Sequence, residues 1–316
     1  MTISKGPRMI KVKWPKLDIT ITAVMNEQVN PNLVNLLYEN LPYRSLQNHA
    51  LYTHAEYKVP NRVTEPDGTV FLSGLQHLAI KYGPLTEYLP AAPCGRVVPA
   101  DMDKLRAAGN GVWKACCTTK EVIEVVVWDA DTPEPTEHLP LVLERTGVTD
   151  EVKELVREIH NETEKSWSGI STDLKLVHRG LAKASPGSKD SYFATMVFIN
   201  GEIRPLGYNV LNGTLKIAAT QPGYSLEHLI GIYRVFALTP SEFVGYTGAN
   251  FLCSTHNKIE ELIEKVVERN QNQVVAREDF LAMVSAFALY VNLLNAQNLH
   301  LFPWRHVEDY PIATKA

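Results

Sequence analysis

The segment Met-Ile-Lys-Val-Lys-Trp-Pro-Lys-Leu-Asp-Ile-Thr-Ile-Thr-Ala, residues 9–23, decides the fold class of the first half of the chain. Apolar and polar residues alternate on both sides of Pro15, and Ile10, Val12 and Trp14 share one face before it. Alternation with a period of two is typical of half-buried β-strands. The segment therefore predicts two strands, each with one face toward a core.

Short apolar runs and turn sequences continue this pattern through the first 130 residues. Further strands are predicted at residues 47–52, 69–72, 76–82 and 121–128. Turns are predicted at Pro66-Asp67-Gly68, Gly83-Pro84 and Gly109-Asn110-Gly111. A helix is expected after Asn30, which can cap it, with Pro31 in its first turn. Short strands with one or two helices favour a small barrel or sandwich.

The period of the pattern changes after an acidic, proline-containing stretch at residues 129–140. Beyond it, apolar residues recur every 3.6 residues, which indicates α-helices. Helix starts are predicted at Thr149, Ser171, Ser225 and Asn257, and a last helix, apolar on most sides, over residues 279–296. Residues 192–220 are ambiguous, because Asn200-Gly201 and Asn212-Gly213 resemble hairpin turns within a helical region. We therefore predict an α+β protein, with a β-barrel domain at residues 1–145 and a C-terminal helical bundle at residues 146–316.

Composition and charge exclude several classes of protein. The 316 residues include 31 Lys and Arg against 35 Asp and Glu, a net charge of −4. Nucleic acids and anionic membranes are bound by basic surfaces, so the charge balance argues against both partners. The first sixteen residues are basic but lack the apolar core of a secretory signal. The four cysteines form no Cys-x-x-Cys pair, which predicts free thiols and a cytoplasmic protein.

The longest apolar stretch, residues 280–294, is interrupted by Ser285 and Asn292. It is predicted to be too short to span a bilayer. Its near-continuous apolar face would suit a homodimer, and burial within a helical bundle explains it equally well.

Nucleotide and metal motifs are missing from the sequence. No Gly-x-Gly-x-x-Gly occurs, and the nearest string has Lys114 where the third glycine belongs. There is no P-loop, no Gly-x-Ser-x-Gly elbow and no His-Glu-x-x-His. His49 and His54 are five residues apart, so their side chains would not share a face in a helix or in a strand. The sequence therefore predicts neither a cofactor nor a metal ion.

Three segments resemble a subfamily of cyclophilin-like barrels. They are Leu-Pro-Tyr-Arg-Ser-Leu-Gln-Asn-His-Ala-Leu at residues 41–51, Leu-Ala-Ile-Lys-Tyr-Gly-Pro-Leu-Thr-Glu at residues 78–87, and Gly-Val-Trp-Lys at residues 111–114 with the strand that follows. Together with the helical second half, they make the whole chain similar to the cucumopine/mikimopine synthases, which form opines. The resemblance implies a cyclophilin-like barrel followed by a helical bundle. The Phe-His-Arg segment of true cyclophilins is not found, which argues against prolyl isomerase activity.

The resemblance implies a Pictet–Spengler-type condensation without a redox cofactor. The amine of L-histidine attacks the keto group of 2-oxoglutarate, water leaves to give an imine, and the imidazole carbon closes a six-membered ring onto it. The product is cucumopine or mikimopine, which differ only in stereochemistry. Two alternatives remain open: an NAD(P)H-dependent reductive opine synthase, and a non-enzymatic cyclophilin-like binding module.

This chemistry requires groups that move protons. One group deprotonates the ammonium, an acid assists the loss of water, and a base takes the proton from the ring carbon. Within the segments that carry the resemblance, His49 is the candidate proton shuttle and Glu87 is the candidate base. Lys114, which lies beside the apolar bulk of Trp113 in the sequence, is the third candidate for proton transfer. The structural alternatives are a core histidine, a solvated loop charge and a surface lysine.

The substrates also bring three carboxylates, which arginine binds well. Arg44, predicted to follow a helix end, and Arg96 are the candidate carboxylate clamps. Tyr82 flanks the Gly83-Pro84 turn, where a loop at a barrel mouth can carry function. A surface ion pair is the structural alternative for Arg44, and core packing is the alternative for Tyr82.

Overall fold

The computed structural model describes residues 6–47, 65–73, 78–83, 91–119, 121–136, 138–167, 169–178 and 192–301. The chain divides into two units, at residues 1–140 and 141–316. The division between Pro140 and Leu141 falls at the end of the acidic, proline-containing stretch of the sequence.

The first unit is built on an antiparallel sheet that forms a half-barrel. Its strands are β1 (Met9–Trp14), β2 (Ile19–Met25), β3 (Tyr43–Gln47), β4 (Thr69–Ser73), β5 (Leu78–Ile80), β6 (Ala91–Val97) and β7 (Ile123–Asp129). They lie in the order β3-β7-β1-β2-β6-β4-β5, so β3 and β5 are the edges of the described sheet. Ile10, Val12 and Trp14 are all buried in the core, as their alternation predicts.

Two α-helices accompany the sheet among the described residues, α1 (Pro31–Glu39) and α2 (Met102–Lys114). The first begins with Pro31 as predicted, but the Asn30 side chain does not cap it and donates instead to the carbonyl of Pro93. The prediction of a turn at Gly109-Asn110-Gly111 was wrong, because these residues lie inside α2. A Cβ on Gly109 would lie 2.6 Å from the Tyr82 ring, and one on Gly111 would lie 2.8 Å from Leu17. Glycine at these two positions therefore allows Tyr82 and Leu17 to pack closely against α2.

The second unit is helical. Its helices are α3 (Asp150–Trp167), α4 (Thr172–His178), α5 (Tyr192–Pro205), α6 (Asn212–Thr220), α7 (Leu226–Tyr246), α8 (Asn250–Leu262) and α9 (Gln273–Leu301), with π-helical turns at Leu206–Leu211 and Ile263–Val267. The Ser171 and Ser225 hydroxyls accept backbone hydrogen bonds at the starts of α4 and α7, as predicted. The start predicted at Asn257 was wrong, since this residue lies inside α8. The α+β fold class, with a helical bundle after the sheet, is confirmed.

The ambiguous region at residues 192–220 is helical. Asn200 and Gly201 lie within α5, and Asn212 and Gly213 begin α6. The hairpin signal fails because a glycine with helical neighbours can continue the helix at a modest cost.

Helix α9 is the central element of the helical unit and packs against α3 and α5. It is longer than predicted, and its Gln273–Asn298 segment is long and apolar enough to cross a membrane. The stretch at residues 280–294, predicted to be too short to span a bilayer, is the central part of this longer segment. However, 78% of the most apolar window is buried inside the protein. This burial is typical of the central helix of a bundle, and it accounts for the apolar face of residues 280–294.

The buried carboxylate of Asp279, on α9, holds the start of α3. Its Oδ1 accepts from the backbone N–H groups of Val148 at 2.5 Å and Thr149 at 3.1 Å, and its Oδ2 accepts from the Thr149 hydroxyl at 2.8 Å. Gly147 precedes them with a φ of +81°, a conformation that favours glycine. The first and last helices of the unit are thus fastened together at this point.

Candidate active site

Strand β7 lies between β3 and β1 and carries two chemically different faces. Ile123, Val125 and Val127 are buried in the core of the sheet unit. Because side chains alternate along a strand, Glu124 and Val126 belong to the opposite face. An acidic side chain is thereby placed on the non-core face of a strand near one edge of the described sheet.

Arg44 lies beside this acidic residue. It is the second residue of β3, directly opposite Val126, and it follows the end of α1 as predicted. Its side chain is only 2% exposed, and its Nη1 lies 3.3 Å from Oε2 of Glu124, whose side chain is 27% exposed. The pair combines a buried guanidinium, which can bind a carboxylate, with a carboxylate that solvent or substrate can reach.

Lys81 is a second buried cation in the sheet unit, and it follows β5 directly. Its Nζ donates to the backbone carbonyl of Glu65 at 2.6 Å and lies 3.7 Å from Oδ1 of Asp67. The side chain is 2% exposed. Lys81 thereby fastens the turn before β4 to the end of β5.

The remaining predicted residues fall in different places. Tyr82 packs its ring against Gly109 of α2, the contact that the core-packing alternative expects. Arg96 is exposed on β6, opposite Val24 and Thr69, and Lys114 is exposed at the end of α2. His49 and Glu87 lie outside the described residues.

The strand order separates the predicted residues that can be located. Arg44 is on edge strand β3 and Tyr82 follows edge strand β5, so they lie at opposite ends of the described sheet. The structure instead brings Arg44 together with Glu124, which the sequence analysis missed. The signal that could have found it is the single acidic residue within the apolar run Ile-Glu-Val-Val-Val.

The environment of other titratable groups limits the candidates for proton transfer. Burial raises the pKa of the Cys94 thiol to about 11, and the thiol donates to the carbonyl of Val70. Burial also raises the pKa of Tyr43. Both side chains are therefore protonated at neutral pH and are poor bases.

The carboxylate of Asp101, just before α2, has a structural role. Burial alone would raise the pKa of its carboxyl, but hydrogen bonds from Lys104 and from the backbone N–H of Thr22 hold the pKa below its ordinary value. The carboxylate thus connects the start of α2 to β2. Across the described ranges, no group of three or more His, Cys, Asp or Glu side chains could hold a metal ion.

An antiparallel half-barrel followed by a helical bundle defines the class of this protein as α+β, and the half-barrel carries the pair of buried Arg44 and partly exposed Glu124. Residues 152–301 match the family model of the cucumopine synthase C-terminal helical bundle domain. The solved structure of McbB in complex with tryptophan is similar to 95% of this chain and 99% of that chain, at 45% sequence identity and a TM-score of 0.82. A search of curated proteins found no significant match.

The chain therefore belongs to the family of Pictet–Spengler-type cyclising enzymes that includes McbB and the cucumopine synthases. The resemblance seen in the sequence is confirmed at this level. Family membership favours a cyclising enzyme over the reductive synthase and the binding module.

Proposed function

We propose that the protein condenses an aromatic amino acid with an α-keto acid and closes a new ring between them. The observation that carries this proposal is the similarity to McbB over nearly the full length of both chains. The amine attacks the carbonyl and water leaves, and the aromatic ring then forms a carbon–carbon bond to the imine carbon. The proton lost from that ring goes to a base, and no oxidant or reductant is consumed.

Tryptophan is the first candidate for the amine substrate, because McbB was solved in complex with tryptophan. The ring closure would then use the carbon of the indole next to its nitrogen. L-histidine with 2-oxoglutarate is the second candidate, supported by the match of residues 152–301 to the cucumopine synthase helical domain. That reaction would yield cucumopine or mikimopine.

The sheet unit supplies residues suited to this chemistry. Arg44 is buried enough to bind a substrate carboxylate in a dry environment, and Glu124 beside it is open enough to exchange a proton. Glu87 as the base, His49 as a proton shuttle, and Lys114, Tyr82 and Arg96 as further site residues stay predictions. A cytoplasmic location is supported by the buried free thiol of Cys94.

Product analysis tests the proposal. The purified protein is incubated with L-tryptophan or L-histidine and with 2-oxoglutarate or pyruvate, with and without NADH. The expected product has the summed mass of the two substrates less one water. Because an uncyclised imine has the same mass, borohydride is added: an imine gains two hydrogens, whereas the cyclised product does not.

Each alternative has its own outcome in this assay. An adduct that requires NADH and carries two extra hydrogens would establish the reductive synthase. Absence of turnover with every amine and keto acid would favour the binding module. Because ring closure also occurs slowly without a catalyst, heat-denatured protein is the control, and a single product stereoisomer is expected only with folded protein.

A further inference from the structure

Three asparagines follow one another at intervals of three residues on the second half of α9. They are Asn292, Asn295 and Asn298, and the amide oxygen of each is buried with no hydrogen-bond donor among the described residues. The side chains of Asn295 and Asn298 are almost completely buried, at 1% and 0% exposure. A buried amide oxygen without a donor loses its hydration and gains nothing in return, so three of them on one helix require an explanation.

The amide nitrogens of the same side chains are all used, and they fix the orientation of the three amides. Each nitrogen donates to the helical segment opposite α9. The pairs are Asn292 with Asn212 at 3.3 Å, Asn298 with Asn200 at 3.1 Å, and Asn295 with the hydroxyl of Tyr208. Turning over the Asn292 amide alone would place two oxygens against each other. The unpaired oxygens therefore follow from the packing of α9 against this segment.

A π-helical turn lies in the opposite segment at the same level. It spans Leu206–Leu211, packs against α9, and comes directly after Pro205, which has no N–H to continue an α-helix. Turns of this kind are frequent at functional sites. Gly207 in the turn is buried, and a Cβ there would overlap Oδ1 of Asn292. The turn thus leaves room for the oxygen of Asn292 where a side chain would fill it.

We propose that these amide oxygens of α9 bind a monovalent metal cation, with the chemistry of K⁺, between α9 and the π-helical turn. Neutral carbonyl oxygens replace the hydration shell of K⁺ in known sites, whereas Ca²⁺ is bound mainly through carboxylates. Side chains three residues apart on a helix have Cβ atoms about 5–6 Å apart, so neighbouring oxygens can share one ion. Asn295 is the middle residue and is therefore a ligand whichever neighbour joins it.

The charge near the turn limits the kind of cation. The guanidinium of Arg204 lies 5.9 Å from the centre of the Tyr208 ring, and Tyr208 accepts from Asn295. Its repulsion acts twice as strongly on a divalent ion as on a monovalent ion. We therefore expect a monovalent ion, bound at millimolar rather than micromolar concentrations. A buried water molecule is the competing occupant, because water also donates to unpaired oxygens.

Thermal unfolding of the full chain distinguishes an ion from water. The melting temperature is measured by circular dichroism in potassium, sodium and choline chloride at equal ionic strength. Choline is too large to fit between packed helices, so it gives the ion-free value. In potassium the melting temperature is expected to be about 3 °C higher than in choline, because an ion that binds only the folded chain stabilises it.

A pair of matched variants locates the effect. Asn295→Leu removes the central oxygen at nearly the same volume and is expected to abolish the difference between potassium and choline. Asn209→Leu makes the same change at an exposed position in the π-helical turn and should keep the full difference. Wild-type crystals grown in rubidium chloride give a test that needs no variant, since anomalous scattering is expected beside Oδ1 of Asn295.

Two results would overturn the proposal. One is a melting temperature of the wild type that is the same in all three salts, with no anomalous scattering beside Asn295. Water would then be the occupant. The other is a potassium effect that Asn295→Leu retains in full, which would place the ion elsewhere in the protein. If Asn295→Leu fails to fold, the rubidium crystals decide the question.

Discussion

The two units use their buried polar side chains differently. In the sheet unit, the buried cations Arg44 and Lys81 lie beside carboxylates that remain partly open to solvent. In the helical unit, Asp279 and Gln297 are buried completely and bond to the ends of other helices. Charges at the edge of a core can meet a substrate, whereas polar groups in its centre can only hold the frame. The comparison supports the proposal that the sheet unit carries the chemistry and that the helical unit supplies a rigid frame.

Helix α9 shows how the helical frame is held. Gln297 accepts from the backbone N–H of Ser171 at 3.2 Å and donates to the backbone carbonyl of Ser166. Asp279, five helical turns earlier on α9, holds the start of α3. The same helix therefore fastens both ends of α3 through side chains that solvent does not reach.

The largest expected effect is on the stability of the helical unit. Asp279→Ala should lower the free energy of unfolding by about 3 kcal/mol, because two buried N–H groups and a hydroxyl lose a charged acceptor. Asp101→Ala in the sheet unit should cost about 1–2 kcal/mol, since one backbone N–H loses its acceptor. Urea unfolding followed by tryptophan fluorescence measures both, with the exposed Asp150→Ala as control. Equal losses in the first two variants would contradict the difference between the units.

The next effect is on catalysis alone. Glu87→Gln should reduce turnover at least about tenfold, because the amide cannot accept a proton. The melting temperature should not change. Glu151→Gln, the same change on the exposed first turn of α3, is the control and should keep full activity. A well-folded Glu87→Gln variant with the wild-type rate would remove Glu87 from the site.

The sequence predicted those parts of the fold that depend on local patterns. The alternation in residues 9–23 gave β1 and β2, and the serine caps gave the starts of α4 and α7. It failed where distant contacts override a local signal. Gly109 and Gly111 look like a turn, yet they lie in a helix, where glycine is needed because Tyr82 and Leu17 occupy the space of a Cβ.

The same limit applies to the site. Arg44 could be chosen from the sequence as a carboxylate ligand, but its partner Glu124 is 80 residues away along the chain. Only the register of β3 against β7 makes them neighbours, and a single sequence does not contain that register. The sequence analysis also missed Lys81. Lysine is rarely buried, and the groups that pair with Lys81 lie in a turn that a local pattern does not connect to it.

A smaller effect is expected on substrate binding. Arg44→Ala should raise the KM for the keto acid about tenfold with a smaller change in kcat, because a carboxylate clamp contributes mainly to binding. Arg44→Lys keeps the charge but not the bidentate geometry, so it should recover part of the loss. Steady-state kinetics with the keto acid varied measures both. An unchanged KM with a lower melting temperature would mean that Arg44 only supports the sheet.

The smallest effect concerns the pH dependence of the helical unit. His256 is fully buried, and its Nδ1 lies 2.8 Å from the Tyr233 hydroxyl. Burial lowers the pKa of His256 below its ordinary value of 6.5, although Glu260 and Glu242 act in the opposite direction. Below pH 6.5 the unfolded chain gains a proton that the folded chain does not, so stability should fall as the pH is lowered from about 7.

Urea unfolding at pH 7.5 and 5.5 measures this change. His256→Gln removes the titrating group and should flatten the dependence, while His228→Gln, an exposed histidine on α7, should leave it as in the wild type. Identical pH profiles for the wild type and His256→Gln would exclude a contribution from this histidine.

The bond between Thr149 and Asp279 joins positions 130 residues apart, and this separation affects how the protein is made. A ribosome delivers the chain from its N-terminus, so every described strand of the half-barrel has emerged once residue 129 is free. Helices α3 to α8 emerge next with apolar stripes that have no central helix to cover them. They must wait for α9, the last described helix to be synthesised, before the bundle can close. During this interval the helical unit exposes the apolar stripes that α9 buries in the folded protein.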